Sequence, residues 1–313
     1  MMSSANDVVH RIVTAVVDGD RIEADDQAPV PWWSFTKTVI AAAALVLVAR
    51  NRLQLDDRIG SNPFTLRQLL QHRAGIPDYG ALASYHAAVA AGDDPWPVNE
   101  VLQRAGAATL LCAPGERFAY SNIGYLWVRQ MIEDAANVPI AAAIRELVFN
   151  PLGIGRSCLA EAPEDLDRTA WGNARRYHPG WVYHGLLVGP AGDAALLLHR
   201  LMDGALIADD LLAAMRLPLP VCGLMPDRPW LSVDYGLGLG ICRTHAPGQF
   251  IGHTGEGPGS TAAVYRFMPD DGDASAKCCT AAAFAPIDAP SEVEGRVVAL
   301  ALRRYFGQRI EDT

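Results

Sequence analysis

Ser34 and Lys37 stand three residues apart, in Ser34-Phe35-Thr36-Lys37, at the start of a run that reads as helix. Positions i and i+3 share one face of a helix, so the amine reaches the hydroxyl: a nucleophile beside its base. The following residues, Val39 to Arg50, are mostly alanine, valine and leucine, which predicts a helix buried nearly all round. Burial disfavours the ammonium form and lowers the lysine pKa toward the range of a general base working near neutrality. The four-residue pattern alone is common, and its plainer reading is an N-capping serine with a snorkelling lysine.

The elements that must position this pair follow from the patterning. Val8 to Val17 is rich in β-branched residues and runs into Asp18-Gly19-Asp20, after which Arg21 to Ala24 returns as the second strand of a hairpin. From Val39 to about Met215 the pattern is helical, with apolar i, i+3, i+4 spacing in Leu66 to Leu70, Tyr125 to Ala135, Ile140 to Phe149 and Ala194 to Met202. The last third returns to strands at Tyr235 to Arg243, Phe250 to Gly252, Thr261 to Met268 and Lys277 to Ala285. Asp270-Asp271-Gly272-Asp273 reads as a tight turn between the last two, and an amphipathic helix at Glu292 to Phe306 closes the chain. This order predicts an α+β fold: an antiparallel sheet assembled from both chain ends, with flanking helices and an inserted, mostly helical domain. The expected division is 1–57 with 216–313 for the sheet domain and 58–215 for the insertion, with the site at the seam.

Composition narrows the function classes. Half of the 313 residues are hydrophobic, enough for a large core, and a formal net charge of −9 without any basic run argues against a nucleic-acid binder. The longest apolar stretch, Val39 to Ala49, is too short to span a bilayer, and Met1 to Asp7 lacks the pattern of a secretory signal, so the expectation is a cytoplasmic protein with no membrane partner. The six cysteines lack C-x-x-C spacing, which indicates neither a metal site nor a disulfide framework.

Two further motifs give the first one its meaning. Tyr120-Ser121-Asn122 follows the loop Ala113-Pro114-Gly115, and His253-Thr254-Gly255 ends a strand of the C-terminal sheet. With three motifs in this order, the chain resembles the serine β-lactamase and penicillin-binding-protein superfamily, in its class C β-lactamase, D-aminopeptidase and esterase branch. The resemblance spans nearly the whole chain, including Leu69 to Pro77 and Asn150-Pro151-Leu152-Gly153.

It implies that Ser34 is the acylated nucleophile, that Lys37 takes or relays its proton, and that the Tyr120 phenol shuttles protons among nucleophile, leaving group and water. Asn122 would hold Lys37 and a substrate carbonyl, while Ser121 is expected to be a filler. The oxyanion hole would use the backbone N–H groups of Ser34 and Glu256, each such donor being worth about 3–4 kcal/mol. Gly255 keeps that strand edge open to close approach.

The sequence departs from the penicillin-recognising pattern at His253, where a lysine is usual. A mostly neutral imidazole weakens the grip on a substrate carboxylate and shifts the expectation toward esters and small amides. Glu256 stands where relatives commonly have a small residue; its carboxylate either meets a substrate ammonium or points to water. Trp33, Trp181 and Tyr183 are candidate walls of an acyl-group pocket, although core packing is the commoner use of such residues. His72 is expected to satisfy backbone groups within its own loop.

The implied function is a serine hydrolase that needs no cofactor and acts on a small-molecule ester or amide, as an esterase, D-amino-acid amidase or weak β-lactamase. The alternatives are a penicillin-binding-like sensor that does not turn over, and an acyltransferase using the same nucleophile.

Overall fold

In the computed structural model, residues 11–173, 176–221, 225–270 and 278–311 are described. The N-terminal hairpin is β1 (Val13–Asp18) and β2 (Arg21–Ala24), turning at Gly19, whose φ of +56° suits a residue without Cβ. Residues 8–10 of the expected first strand, and 271–273 of the expected turn, lie outside the described residues. A small antiparallel sheet, order β3-β5-β4, is made by β3 (Pro29–Pro31), β4 (Cys158–Ala160) and β5 (Leu186–Pro190). The C-terminal strands are β6 (Leu219–Pro220), β7 (Ser232–Tyr235), β8 (Gly240–Arg243), β9 (Gly248–Gly257), β10 (Ser260–Pro269) and β11 (Cys279–Ala285). They join the hairpin in one antiparallel sheet, β2-β1-β11-β10-β9-β8-β7-β6, with Val13 opposite Phe284. The two ends of the chain thus share a sheet, as the order of patterns implies.

The helices are α1 (Thr36–Ala49), α2 (Leu66–Leu70), α3 (Ala83–Ala91), α4 (Val98–Arg104), α5 (Asn122–Ala136), α6 (Ile140–Ile144), α7 (Pro163–Asp167), α8 (Ala191–Met202), α9 (Asp209–Met215) and α10 (Pro290–Glu311). Successive residues of a strand face opposite sides, and the sheet uses both. Phe250, Phe267 and Ala281 pack against Val293, Val297 and Tyr305 of α10, while Ile251, Val264, Ala282 and Phe284 belong to the larger core on the other side, with α1 and α8. From Thr36 through Leu47 every residue of α1 is buried, as its alanine-rich sequence predicts. No helix among the described residues is long and apolar enough to cross a membrane.

Several details differ from the sequence expectation. Ile140 to Phe149 is not one regular helix, since α6 passes into a π turn over Arg145–Phe149. Helix α8 falls within the span expected for the helical insertion, yet it lies against β1, β10 and β11. The small sheet and helices α3, α4, α7 and α9 have no counterpart in the periodicity reading, because each is short.

Tyr235 to Arg243 is two strands and not one. The break is made by Gly238, at φ +76°, whose N–H donates to the Leu70 carbonyl and whose carbonyl accepts from the Thr38 hydroxyl of α1 at 2.6 Å. This loop therefore clamps α1 one residue past Lys37. A Cβ at Gly238 would stand 2.4 Å from that of Ala41. Gly238→Ala should destabilise the fold by on the order of 2–5 kcal/mol, from the left-handed backbone and the overpacking together. The urea midpoint checks this, and an unchanged midpoint would show that the clamp is loose.

Candidate active site

Ser34 sits in a 3-10 turn, Trp33–Phe35, that leads into α1. The turn is fixed from two sides. On one, Trp32 donates its N–H to the Leu187 carbonyl of β5 and its indole N–H to Gly189, while the Thr36 hydroxyl accepts from Leu187 N–H. On the other, the turn meets β9. That strand pairs with β8 only from Gln249 to Gly252, so residues 253–257 have an edge free of β8, and the turn carrying Ser34 packs there. The approach demands glycine: a Cβ at Gly255 would lie 2.4 Å from the Ser34 nitrogen, and one at Gly257 would lie 2.3 Å from the Trp33 ring. β9 thus continues past His253 instead of ending there.

The three motifs converge. Lys37 Nζ lies 3.1 Å from Ser34 Oγ, and the Tyr120 hydroxyl lies 2.9 Å from the same oxygen. Lys37 also donates to Asn122 Oδ1 at 2.7 Å and stands 3.2 Å from His184 Nε2. Its amine is wholly buried, and burial lowers its pKa to about 7, against the pull of the nearby Asp78 carboxylate. Burial raises the Tyr120 phenol well above its ordinary value despite its bond to Ser34, so it stays protonated. His253 is buried, with burial and Lys37 driving its pKa down to about 3. Its Nδ1 bonds the Thr254 carbonyl at 2.6 Å and its Nε2 lies 2.9 Å from the Tyr235 hydroxyl. A carbonyl only accepts, so Nδ1 carries the proton and Nε2 accepts from Tyr235. The imidazole is neutral and fully engaged.

Tyr120 and Asn122 are held by residues that the motifs alone do not reveal. Asp78 accepts from the Asn122 backbone N–H at 2.8 Å and from its amide nitrogen at 3.1 Å, which turns the amide oxygen toward Lys37. His72 accepts from Ser121 N–H through Nδ1 at 3.0 Å, and its ring lies 4.1 Å from that of Tyr120. It therefore reaches beyond its own loop, at a left-handed φ of +53°. Ser121 is not a filler: its hydroxyl accepts from Gly124 N–H, capping α5, and donates to the Pro77 carbonyl.

A cavity of about 420 Å³ opens at Ser34, walled by Phe118, Trp230, Tyr235, Tyr265 and other mostly apolar side chains. Its charged wall is Arg228, paired through Nε and Nη2 with both oxygens of the fully buried Glu294 of α10. Glu256, half-exposed, stands 3.8 Å from Arg228 at the rim, and also borders a second cavity of about 630 Å³ with Tyr85, Tyr177 and Asp288.

The expected aromatic walls are elsewhere. Trp33 is buried behind the site and donates its indole N–H to Ser260, Trp181 donates to the Asp93 carbonyl, and Tyr183 borders a separate cavity next to Trp96. No signal in the sequence marks Arg228 or Glu294 as neighbours of Ser34; His184 ends the aromatic stretch from Trp181 that is a pocket candidate, and Asp78, right after Gly75-Ile76-Pro77, adjoins text that carries the resemblance. Among the described residues, no three of His, Cys, Asp or Glu are grouped to hold a metal ion.

The family model described as Beta-lactamase matches residues 8–300. The chain belongs to the beta-lactamase family. Among curated relatives, it is 24% identical over 263 residues to Penicillin-binding protein 4* of Bacillus subtilis (strain 168), covering 75% of this chain and 57% of that protein. It is 34% identical over 145 residues to Esterase EstB of Burkholderia gladioli, covering 40% of this chain and 36% of that one. The chain thus spans only about half, or less, of the length of these relatives. In fold it is similar to the D-amino acid amidase from Ochrobactrum anthropi SV3 complexed with D-phenylalanine, with TM-score 0.75, 20% identity and coverage of 96% and 94%. The family is one of serine β-lactamase-like hydrolases, and its α+β fold is the one found here.

Were Lys37 to act as the base for Ser34, only its neutral form could take the proton, and the rate of Ser34 acylation should rise about tenfold per pH unit below about 7 and flatten above it. His253, His72 and His184 are all neutral by then, since burial lowers each of them. Rapid-mixing measurement of p-nitrophenol release over pH 5 to 9 checks this; a limb displaced to pH 9 or above would mean that the lysine keeps its ordinary basicity.

Proposed function

We propose that this protein is a serine hydrolase that cleaves uncharged or amine-bearing esters and small amides with a bulky apolar group, through an acyl-enzyme on Ser34. The observation that carries the reading is the Ser34 oxygen held between a buried amine at 3.1 Å and a phenol at 2.9 Å. Ser34 Oγ attacks the substrate carbonyl as its proton passes to Lys37, and the carbonyl π pair moves to oxygen. The backbone N–H groups of Ser34 and Glu256 would stabilise that oxyanion, a role supported by the contact of Gly255 with the Ser34 nitrogen. Tyr120 gives its proton to the leaving group and regains one from Lys37, which restores the amine. Water then attacks the acyl carbon as its proton passes by way of Tyr120 to Lys37, the Oγ–carbon bond breaks, and Ser34 takes that proton back as the acid product leaves.

Chemistry in the cavity selects the substrate class. A β-lactam or peptide carboxylate needs an uncommitted cation, yet His253 is neutral and Arg228 is already bound to Glu294. With Glu256 added, the charged wall carries two carboxylates and one guanidinium, which suits a neutral or ammonium-bearing group better than an anion. The aromatic lining suits an aryl or branched alkyl group. Two relatives support this reading, one an esterase and the other crystallised with D-phenylalanine, whereas a third is named a penicillin-binding protein.

Side-by-side assay of p-nitrophenyl esters, D-phenylalanine amide and nitrocefin should rank the esters first and nitrocefin last. Ser34→Ala should abolish turnover and the mass-spectrometric adduct of a fluorophosphonate probe; a variant that keeps either excludes the acyl-enzyme. A burst of product without steady turnover would point to a sensor, and transfer to an added alcohol in place of water would point to an acyltransferase.

Glu256→Gln should lower kcat/KM for amine-bearing substrates by about two- to fivefold and leave neutral esters unchanged, since a half-exposed ion pair is worth about 0.2–1 kcal/mol. Equal losses on both would remove the carboxylate from recognition.

A further inference from the structure

His184 lies in the loop before β5, 147 residues from Lys37 in sequence, and is 2% exposed. Its Nε2 is 3.2 Å from Lys37 Nζ, and its Nδ1 is buried without a hydrogen-bond partner among the described residues. The amine has three neighbours, and the other two constrain what the third must do. Asn122 offers an oxygen that only accepts, because its amide nitrogen faces Asp78. Ser34 must donate to the amine before attack and accept from it afterwards.

Two tautomers of His184 then have opposite consequences. If Nε2 carries the proton, it occupies the lysine lone pair, and Ser34 has no base. If Nε2 is bare, the neutral amine donates one proton to Asn122 and one to His184, and its lone pair faces Ser34. After the Ser34 proton arrives, all three ammonium protons have acceptors: Asn122, His184 and the seryl oxygen. The same tautomer leaves Nδ1–H buried and unpaired, an expense that buried groups seldom carry without a reason.

We propose that His184 is a positioning residue for Lys37, whose bare Nε2 accepts from the amine, directs its lone pair at Ser34 and completes the shell of the ammonium formed during acylation. The inference rests on the serine hydrolase reading above. The proton balance is closed within the site: the Ser34 O–H bond breaks as the Oγ–carbon bond forms, and the proton resides on Lys37 until Tyr120 passes one to the leaving group. His184 does not compete for that proton, since burial, Lys37 and Arg129 hold its own pKa well below the ordinary histidine value.

Other groups facing the amine are accounted for. Asp78 favours its charged form, whereas His72 and His253 are neutral. The rings of Tyr120 and Tyr125 lie 5.0 and 5.7 Å from Nζ, and both phenols are raised by burial. Arg129 donates to the Tyr183 carbonyl, next to His184.

The test compares wild type, His184→Leu and His184→Gln in pre-steady-state acylation by a p-nitrophenyl ester between pH 5 and 9. Leucine removes the acceptor. It should lower the plateau rate by about tenfold or more and move the acid limb down by about one pH unit, because the ammonium loses a partner, while KM changes little. Glutamine, which can place an amide oxygen near the Nε2 position, should recover most of both effects. A His184→Leu profile that coincides with wild type overturns the proposal.

Nitrogen NMR of wild-type protein labelled in its histidine rings, assigned with His184→Gln, reads the tautomer directly and independently of activity or of the leucine variant folding. A proton on Nδ1 supports the proposal, and one on Nε2 overturns it. If wild type forms no Ser34 adduct at all, the hydrolase reading fails on its own, and the NMR arm still decides the role of His184.

Discussion

An amine deprived of water has to find its acceptors inside the protein, and the site is built around that demand. Lys37 is wholly buried, and removing an ammonium from water is costly unless hydrogen bonds replace the lost solvent. The replacements come from separate stretches of chain: Ser34 from the turn before α1, Asn122 from the start of α5 and His184 from the loop before β5. Each partner is fixed in turn, with Asp78 orienting Asn122 and His72 holding the backbone between Tyr120 and Asn122. Burial lowers the lysine pKa to about 7, and the partners fix where its amine points.

The second constraint is the close approach of β9 to the serine turn. Gly255 and Gly257 let the strand edge touch Ser34 and Trp33, and Trp33 answers with a left-handed φ of +43° and an indole N–H bonded to Ser260. Strain of this kind persists only where the surroundings over-determine it. Here the surroundings are β5 on one side of the turn and the β9–β10 hairpin on the other. Glu294 of α10 holds the Arg228 guanidinium in the cavity's charged wall, so the last helix both covers the sheet and shapes the site.

Local chemistry made part of this legible in sequence. The i, i+3 pair of Ser34 and Lys37, the alanine-rich helix behind it and the hairpin around Gly19 follow from spacing and composition, and the three motifs led to the family. Ser121 was readable in principle, since a serine just before a helix is a cap. What spacing does not encode is tertiary juxtaposition. His184 and Arg228 sit in loops without periodicity, and Glu294 is one acidic residue in an amphipathic helix. The break at Gly238 is invisible because α1, which it clamps, is remote in sequence. Trp33, Trp181 and Tyr183 invite a pocket reading by residue type, while their indole and phenol groups are bonded to Ser260, Asp93 and Trp96 away from the cavity.

The Trp33 to Ser260 bond joins residues 227 positions apart, and β1 finds its partner in β11, close to the other end of the chain. Contacts of such long range form late, because the loop they close must be ordered before they reward it. During synthesis Ser34 and Lys37 emerge well before the strand edge of β9 that braces them. The arrangement around Ser34 and Lys37 is therefore completed only in the finished molecule, and a chain interrupted before β10 carries both side chains without Ser260, which holds the Trp33 indole beside them.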